Sequence, residues 1–505
     1  MKNNKIWTVL LIAVLALQVV AEVLTAAVVL RLDMLPDKYT VVMVVALVLL
    51  AAVTGALMFV KGKKAVGTVR RILACVLALL IVCGCALIAK VASDAYKTVN
   101  KVTDNVTTST RNMYVFVRLE DPAQSLSDAA DYTFAAMENY DVVHTEQAVE
   151  QIETEIGKPI TVEQYARASE LADALLGKDV DALIMNGASV ALLIEEEAYG
   201  DFTDKVRILR TMPFAELEET TAPNISDETK PAVTGDVTNT PFVVYISGSD
   251  TRSSLLTVSR SDVNILMVVN PVTKQVLLLN TPRDYYVANP AGDGAMDKLT
   301  HCGLYGADCS MEALEALYDL EIDYYGQINF TGFETLVDAV GGVTVYSDQS
   351  FTARETYIHV GENHLNGSQA LDFSRERYHV SGGDNGRGKN QMKVIKAVIE
   401  KMTSGTTIIS KYSAILESLE GMFTTSLGME DISMLVKMQL GDMAKWNVQS
   451  FAVTGVGGSE KTYSAPADYA YVMYEDENMT AYAAQLVDRV IAGEVLTEED
   501  MKVPE

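Results

Sequence analysis

The chain has 505 residues, more than a typical single domain, and its formal net charge is −27. Nucleic-acid binding requires a basic face, so this acidic balance argues against a nucleic-acid partner. The five cysteines form neither a C-x-x-C pair nor a zinc-ligand spacing, which argues against a zinc site.

Three apolar runs near the N-terminus are each long enough to cross a bilayer. They cover residues 6–30, 41–60 and 72–91, and about 20 helical residues suffice for a hydrocarbon core of roughly 30 Å. Glu22 interrupts the first run, either as a tolerated charge near its end or as a carboxylate that faces a neighbouring helix. Because this run is longer than the apolar part of a signal peptide, we expect it to be a retained anchor.

Basic residues around these runs indicate their orientation, because Lys and Arg in short flanking segments are retained in the cytoplasm. Lys2 and Lys5 precede the first run, and residues 61–71, between the second and third runs, contain five basic residues. We therefore expect a multi-pass protein of the cell membrane with three transmembrane helices in residues 1–92. The large C-terminal part is then extracellular.

Helix and strand patterns alternate in residues 93–215 and predict a small accessory α/β domain. The predicted elements are strands at 113–119 and 180–185 and helices at 145–156 and 162–176. Residues 216–240 are rich in Thr, Glu, Asp and Pro and lack an apolar period. This composition predicts an exposed linker.

The last part, residues 241–505, begins with predicted strands at 242–246, 263–269 and 275–280. Asn270-Pro271 separates the second strand from the third and indicates a hairpin turn. Further along, capping-box patterns at Thr331 with Glu334 and at Asn366 with Gln369 predict two helix starts. These patterns support an α/β or α+β fold.

Glycine and cysteine add two local predictions. Gly341-Gly342 predicts the end of the helix that begins near Thr331. Cys302 and Cys309 lie in the predicted extracellular part, where a disulfide and two free thiols both remain open, because spacing does not show whether their Cβ atoms meet. Cys75, Cys83 and Cys85 fall in the third apolar run, where we expect them to pack or to face lipid.

Charged residues cluster in the last part in a pattern that suits a diphosphate and a divalent cation. Arginine offers a planar fork of donors for phosphate, and carboxylates bind hard cations such as Mg²⁺. Asp250 and Asp262 lie at the edges of two predicted strands, which is compatible with carboxylates that meet across a hairpin. The other members of the pattern are Arg260, Arg283, Arg375, Arg377, Asp384, Arg387 and Gln391.

Spacing predicts how some of these side chains are held. Arg387 and Gln391 share one face of a helix through their i,i+4 spacing. Arg375 and Arg377 are two residues apart, so an extended segment would point both side chains the same way. Asp384 lies in a glycine-rich loop beside Arg387 and is the first candidate for a general base.

Residues 242–402 resemble the LytR-CpsA-Psr family of cell-wall enzymes, because a series of motifs occurs in order. The motifs are GSDTR at 248–252, RSD at 260–262, NTPRD at 280–284, DKLTH at 297–301, NFTGFETLVDAVGGV at 329–343, HLNGSQALDFSRER at 364–377 and GDNGRGKNQ at 383–391. One departure is Asn390, where many members carry a basic residue directly before the Gln. Lys389 is one position earlier.

The resemblance implies a central, mostly antiparallel sheet flanked by helices, with a hydrophobic tunnel for a lipid. It implies that Asp250 and Asp262 hold Mg²⁺, with Mn²⁺ as an alternative, against the diphosphate. Asp384, Arg283 and Arg375 are the expected catalytic residues, and His301 is interpreted as structural. The expected diphosphate contacts are Arg260, Arg283, Lys298, Arg375, Arg377, Arg387 and Gln391.

Members of this family move glycopolymers from a polyprenyl diphosphate carrier to peptidoglycan, so we expect a membrane-anchored phosphotransferase of cell-wall assembly. Its expected partners are the lipid-linked glycopolymer, peptidoglycan and the bilayer. Teichoic acid and capsular polysaccharide would use the same diphosphate site. Two alternatives remain open, namely a polyprenyl-pyrophosphate hydrolase with water as acceptor and a sensor or scaffold that binds the lipid-linked polymer without turnover.

Overall fold

The computed structural model describes residues 2–60, 64–103, 111–194, 196–214, 236–249, 260–404, 411, 415 and 422–503. Along the chain it consists of a bundle of three long helices, a unit built on a five-stranded sheet and a unit built on a six-stranded sheet. This agrees with the predicted fold, in which mixed α/β units follow an apolar helical segment along the chain. Asp250, one of the two predicted metal ligands, lies outside the described residues.

The N-terminal bundle contains α1 (Lys2–Leu32), α2 (Asp37–Phe59) and α3 (Lys64–Thr103). Each helix contains a stretch long and apolar enough to cross a membrane, in agreement with the three predicted runs. The apolar stretch of α3 ends at Asp94, and the helix continues to Thr103.

Glu22 faces the inside of this bundle, which favours the second of the two interpretations of its charge. The amide Nε2 of Gln18 donates to Glu22 Oε1 at 2.8 Å, and both side chains are buried. One turn further, Thr25 Oγ1 donates to the carbonyl of Cys85 on α3 at 3.0 Å. Polar groups in an apolar bundle are stabilised by such mutual hydrogen bonds.

The connection between α1 and α2 packs against the last unit through α13 (Met429–Asp442). Lys437 Nζ lies 3.1 Å from Asp33 Oδ1 and 3.2 Å from Asp37 Oδ1. Met34 is buried against three apolar residues of α13, namely Met429, Ile432 and Val436. The six-stranded unit therefore rests on the end of the bundle that carries this connection.

The five-stranded unit is a sheet with helices packed against it. The strand order of the sheet is β3-β2-β4-β1-β5. Its elements are β1 (Arg111–Arg118), β2 (Thr133–Met137), α4 (Val142–Ile156), β3 (Thr161–Tyr165), α5 (Ala168–Gly177), β4 (Ala182–Asn186), α6 (Gly187–Leu193), α7 (Phe202–Lys205) and β5 (Val206–Phe214). The predicted helix at 162–176 is wrong in its first part. That segment forms β3, which pairs in parallel with β2, so tertiary pairing overrides the helical spacing.

The six-stranded sheet is the core of the last unit and has the order β16-β11-β6-β7-β8-β17. Its strands are β6 (Phe242–Ser249), β7 (Ser261–Asn270), β8 (Gln275–Asn280), β11 (Tyr324–Asn329), β16 (Phe423–Thr425) and β17 (Asn447–Ala452). Three neighbouring pairs are antiparallel, and the pairs β6/β11 and β8/β17 are parallel. The predicted hairpin is confirmed, and Asn270 Oδ1 accepts from the backbone N–H groups of Val272 and Thr273 in its turn.

The remaining elements surround this sheet. They are β9 (Tyr286–Asn289), β10 (Ala295–Lys298), α8 (Leu299–Cys302), α9 (Ala307–Tyr318), α10 (Phe330–Ala339), β12 (Val343–Ser347), β13 (Phe351–Ala353), β14 (Thr356–Ile358), β15 (Gly361–Leu365), α11 (Gly367–Arg375), α12 (Gly383–Thr403), β18 (Gly455–Thr462), β19 (Ala465–Glu475) and α14 (Glu477–Ile491). The predicted capping box of α11 is confirmed, because Asn366 and Gln369 cap each other. Helix α10 begins two residues earlier than predicted, because Asn329 Oδ1 caps it by accepting from Gly332 N at 2.8 Å.

Cys302 and Cys309 are buried free thiols in this structure. Hydrogen bonding to Cys309 and burial raise the pKa of the Cys302 thiol. The five-stranded unit contacts the last unit nearby, where the hydroxyls of Tyr140 and Tyr305 are hydrogen-bonded. Both thiols therefore belong to the packed interior next to this contact.

Candidate active site

Three segments of the last unit bring the predicted charged residues together. They are the start of β7, the loop that follows β8 and the first turns of α12. The pairing of β6 with β7 shifts register here, since Gly248 lies opposite Val263 and Ser249 lies opposite Ser261. Asp262 is the extra residue of this bulge, and bulges of this kind re-aim a side chain beside active sites.

Glycines allow α12 to approach the end of β8. A Cβ atom on Gly388 would lie 2.5 Å from Nδ2 of Asn280, the last residue of β8. Gly382, before the helix, has φ of 86°, which favours glycine. Asp384 therefore lies in the first turn of α12 and not in the predicted loop. The close approach brings Arg387 next to the residues that follow β8.

Ion pairs connect these segments. Arg283 Nη1 donates to Asp262 Oδ1 at 2.7 Å, and Arg283 Nε lies 3.7 Å from Asp284 Oδ2. Lys298 Nζ donates to the other oxygen of Asp284 at 3.1 Å. The buried Nε of Arg283 makes no hydrogen bond among the described residues, and its charge is offset by Asp284.

Asp384 and Arg387 form the pair on α12. Arg387 Nη2 lies 2.7 Å from Asp384 Oδ1, but this oxygen accepts no hydrogen bond of good geometry in the described part of the chain. Asp384 is therefore held in place mainly by charge.

The pKa values of these groups reflect burial and mutual charge. Burial acts to raise the pKa of Asp262, but the charges of Arg283 and Arg260 outweigh it and keep this pKa below its usual value. Burial lowers the pKa of Arg260 and of Arg387. The pKa of Arg283 is raised, because Asp262 and Asp284 together outweigh the effect of its burial. Arginines remain charged after such shifts.

We call these groups the charged cluster. The charge of Arg377 also acts on Arg387, which adds this residue to the group. The cluster contains five cations and three carboxylates in a chain whose net charge is −27. Its members are Arg260, Asp262, Arg283, Asp284, Lys298, Arg377, Asp384 and Arg387.

An apolar cavity of about 190 Å³ lies at the other end of the same helix face. Gln391, one turn after Arg387, lines this cavity together with Arg375, whose guanidinium lies 4.3 Å from the ring centroid of Phe330. Most of the lining is aliphatic or aromatic, including Ile246, Val263, Met267, Ile328, Phe333, Leu336, Leu371, Ile395, Val398, Ile399 and Phe423. The shared helix face predicted for Arg387 and Gln391 thus joins the charged cluster to the cavity.

The predicted extended segment with Arg375 and Arg377 is wrong for its first residue. Arg375 is the last residue of α11, and the chain becomes extended only at Glu376. The two guanidinium groups have different surroundings, because Arg375 lies over Phe330 whereas Arg377 donates to the hydroxyl of Tyr378 at 2.6 Å. The two side chains differ because Arg375 is still helical, so the alternation of an extended strand does not apply between residues 375 and 377.

His301 lies in a buried network next to the site. Its Nδ1 is 2.6 Å from Asp297 Oδ1, and Asp297 Oδ2 accepts hydrogen bonds from Asn289 Nδ2 at 3.1 Å and from Ser464 Oγ at 2.5 Å. These bonds hold β10 and the β18/β19 hairpin together. The arrangement agrees with a structural role for His301.

Asp262 has the properties of a ligand for a hard cation. Its Oδ1 is taken by Arg283, whereas its side chain is 24% exposed and its Oδ2 makes no hydrogen bond among the described residues. No group of three or more His, Cys, Asp or Glu side chains in the described part of the chain is placed to hold a metal. Mg²⁺ is commonly bound by one or two carboxylates together with substrate phosphates, so a partly exposed carboxylate among several arginines fits it.

The sequence patterns missed two residues of the site. Asp284 was only part of a motif, yet it pairs with both Lys298 and Arg283. Phe330 supports the guanidinium of Arg375 and lines the cavity. The sequence could have predicted Asp284 as a site residue, because it directly follows Arg283.

Comparison with known proteins identifies the family. A model of the LytR_cpsA_psr family matches residues 213–485, which is more than half of the chain. The chain belongs to this family. The matched segment begins before β6 and ends within α14, so it contains every residue of the charged cluster and the cavity.

Several known proteins are similar to this chain in sequence. One is the polyisoprenyl-teichoic acid–peptidoglycan teichoic acid transferase TagU of Enterococcus faecalis, 37% identical over 194 residues that are 38% of this chain and 63% of that protein. The TagU protein of Oceanobacillus iheyensis is 36% identical over 221 residues, or 42% of this chain and 67% of that protein. The crystal structure of B. subtilis TagV is 25% identical, with a TM-score of 0.42 over 51% of this chain and 99% of that one.

Proposed function

We propose that this protein transfers a glycopolymer from a polyprenyl diphosphate to peptidoglycan. The observation that carries the proposal is the position of the charged cluster directly beside an apolar cavity, with Arg387 in one and Gln391 in the other. A lipid diphosphate has this combination of an anionic head and an apolar tail. The names of the relatives, which are teichoic acid transferases to peptidoglycan, support the same activity.

The described side chains account for the main requirements of this reaction. The lipid chain occupies the cavity, and Arg375 and Gln391 at its rim contact the phosphate next to the lipid. Arg260, Arg283 and Arg387 bind the phosphate that carries the glycopolymer and neutralise the charge that develops during transfer. The acceptor hydroxyl loses its proton to Asp384, its oxygen bonds to phosphorus, and the bond to the lipid phosphate breaks.

Asp262 and Asp250 would hold Mg²⁺ next to the diphosphate, where the cation supplies further neutralisation of phosphate charge. The partly exposed side chain of Asp262, whose Oδ2 makes no hydrogen bond among the described residues, supports this assignment. Mn²⁺ has similar preferences for oxygen ligands and is the alternative ion.

Product analysis separates transfer from the two alternatives. Purified full-length protein is incubated with a lipid-linked glycopolymer, with and without peptidoglycan. Transfer yields a polymer–peptidoglycan adduct that requires peptidoglycan, whereas a hydrolase yields free polymer phosphate in both reactions. An unchanged donor in both reactions would instead support a sensor or scaffold.

The proposed orientation puts all residues after α3 outside the cell. Five basic residues at 61–71 support a cytoplasmic connection between α2 and α3. The connection between α1 and α2 lies at the opposite end of these helices, and there Lys437 of the six-stranded unit contacts Asp33 and Asp37. This contact supports a position of the large unit on the side opposite the basic residues.

A first prediction tests this orientation with a protease-cleavable tag. A tag inserted after Glu216, in the predicted linker, should be cleaved by protease added to intact cells. The same tag inserted after Lys63, between α2 and α3, should be cleaved only after the membrane is opened. Protection of the Glu216 tag in intact cells would refute the three-span orientation.

A second prediction concerns the cation. Asp262→Asn and Asp250→Asn should each lower Mg²⁺-dependent transfer on the order of 10²-fold, because a neutral amide is a poor ligand for a hard cation. The measurement is the transfer rate as a function of Mg²⁺ concentration. Asp348→Asn is the matched control, because Asp348 is exposed and forms its ion pair with Lys393, at 2.8 Å.

The outcome of this experiment is read together with thermal unfolding. Asp262→Asn also weakens the pair with Arg283, so an unchanged melting temperature is needed to exclude loss of the fold. If both variants keep the Mg²⁺ dependence of the wild type, these carboxylates do not hold the cation.

A further inference from the structure

A two-stranded hairpin formed by β18 and β19 is attached to the segment that carries Arg283 and Asp284. The backbone N–H of Met473 donates to the carbonyl of Asp284 at 2.7 Å. The hydroxyl of Tyr285 donates to the carbonyl of Thr454, directly before β18, at 2.6 Å. These bonds fix the base of the hairpin beside the charged cluster.

One face of this hairpin carries exposed aromatic rings. Tyr469 is 69% exposed and Tyr471 is 53% exposed. Residues two apart on a strand point to the same face, so both rings lie on the face that also bears Met473. Tyr474 lies on the opposite face and packs edge-on against Tyr286. Large exposed aromatic surface of this kind marks a binding site more often than chance.

A glycine on the neighbouring strand leaves room for the ring of Tyr471 against the hairpin. Gly457 lies opposite Met473, and a Cβ atom on Gly457 would be 3.0 Å from Cε2 of Tyr471. The edge of the ring that carries the hydroxyl therefore lies against β18, while about half of the residue remains exposed. Tyrosine held in this way offers a large rigid contact surface at little cost in conformational entropy.

The order of residues along α12 relates this face to the reaction. The pKa of the Tyr471 phenol is raised by burial and then by the charges of Asp284 and Asp384, in agreement with its position near both carboxylates. Asp384, Arg387 and Gln391 follow one another along α12, so the helix leads from the hairpin through the charged cluster to the cavity. None of the described residues that line the cavity belongs to the hairpin.

Phosphoryl transfer places the attacking and leaving oxygens roughly in line. If the lipid phosphate leaves toward the cavity, the acceptor hydroxyl arrives from the Asp384 end of α12. Tyr471 is two residues from Met473, which bonds to Asp284, and Tyr469 lies two residues further along the same face of β19. A sugar ring has an apolar C–H face that stacks on such an aromatic surface without requiring charge, which suits a chain of net charge −27.

We propose that the face formed by Tyr469 and Tyr471 is the acceptor subsite, where sugar rings of the peptidoglycan glycan strand stack and present a hydroxyl to the charged cluster. This assignment rests on the proposed transferase function. It names the residues that select and position the acceptor, and it separates them from those that bind the lipid-linked donor.

The test uses full-length protein in detergent with the double variant Tyr469→Leu/Tyr471→Leu, which keeps apolar side chains suited to a strand but removes both rings. Two quantities are measured, namely binding to purified glycan strands free of other polymers and the KM values for acceptor and donor. We expect weaker binding and a rise of about tenfold in the acceptor KM, the size expected for the loss of two ring contacts, with the donor KM unchanged.

Two further variants control for the hairpin itself. Tyr471→Phe keeps the ring and should retain the acceptor KM of the wild type, and Tyr474→Leu alters the opposite face and should do the same. Wild-type glycan binding by the double variant would overturn the proposal, as would a rise in the donor KM alone. Failure of the transferase proposal is distinguishable, because the wild type would then form no adduct although glycan binding could still be compared.

Discussion

Arg283→Lys is expected to lower the rate of glycopolymer transfer by about 10²-fold to 10³-fold, by analogy with the loss of one donor from a preorganised oxyanion site. Arg283 Nη1 donates to Asp262 Oδ1 at 2.7 Å, and we propose that the remaining guanidinium donors of Arg283 bind phosphate. Lysine retains the charge but loses the planar fork. Arg375→Lys should act similarly, because it loses the flat contact with Phe330.

Arg210→Lys is the matched control for this comparison. Arg210 is 50% exposed and pairs with Glu155 at 2.9 Å in the five-stranded unit, far along the chain from the charged cluster. The measurement is the initial rate of adduct formation, with thermal unfolding to verify the fold. Near-normal transfer by folded Arg283→Lys and Arg375→Lys would show that the diphosphate is bound elsewhere.

Ile395→Trp is expected to reduce kcat/KM for long-chain lipid donors on the order of 10²-fold or more. Ile395 lines the cavity from α12, and an indole there takes the space proposed for part of the lipid. Excluding about five carbons from an apolar site costs roughly 4 kcal/mol at about 0.8 kcal/mol per CH₂. The effect should therefore depend on the length of the lipid chain.

The decisive measurement is kcat/KM for a series of donors whose polyprenyl chains become shorter. A blocked cavity penalises long chains and leaves the shortest donor close to wild type, whereas a misfolded variant loses activity with all donors equally. Glu400→Trp places the same side chain on an exposed position of α12 and should leave all donors unaffected. Equal activity of Ile395→Trp with every donor would show that the lipid does not enter this cavity.

Sequence patterns predicted most of the fold where the signal was local. The three apolar runs appear as α1, α2 and α3. The strands predicted at 242–246 and 263–269 appear with wider bounds, and the strand at 275–280 appears as predicted. The mutual capping of Asn366 and Gln369 was also readable, because a cap depends on residues only three positions apart. The segment 162–176 was misread, because the parallel partner of β3 lies in another part of the chain.

The residue types of the site also predicted the kind of ligand. They did not predict which side chains contact each other. Arginine and aspartate in ordered motifs indicated a diphosphate, because few other ligands require that combination. The contact of Arg283 with Asp262 and of Lys298 with Asp284 depends on segments separated by many residues. The same is true of the approach of Gly388 to Asn280, which brings α12 to the end of β8.

The sequence by itself therefore determined the number of apolar helices, the first strands of the main sheet, the family and the kinds of group that meet the substrate. Only the tertiary structure decided that Arg375 ends a helix over Phe330, that the cavity adjoins the charged cluster, and that β19 bonds to Asp284. The physical reason is the distance along the chain over which each interaction acts. Helix periodicity, caps and charge act between neighbours along the chain, but a cavity and a bulged strand exist only when distant segments pack.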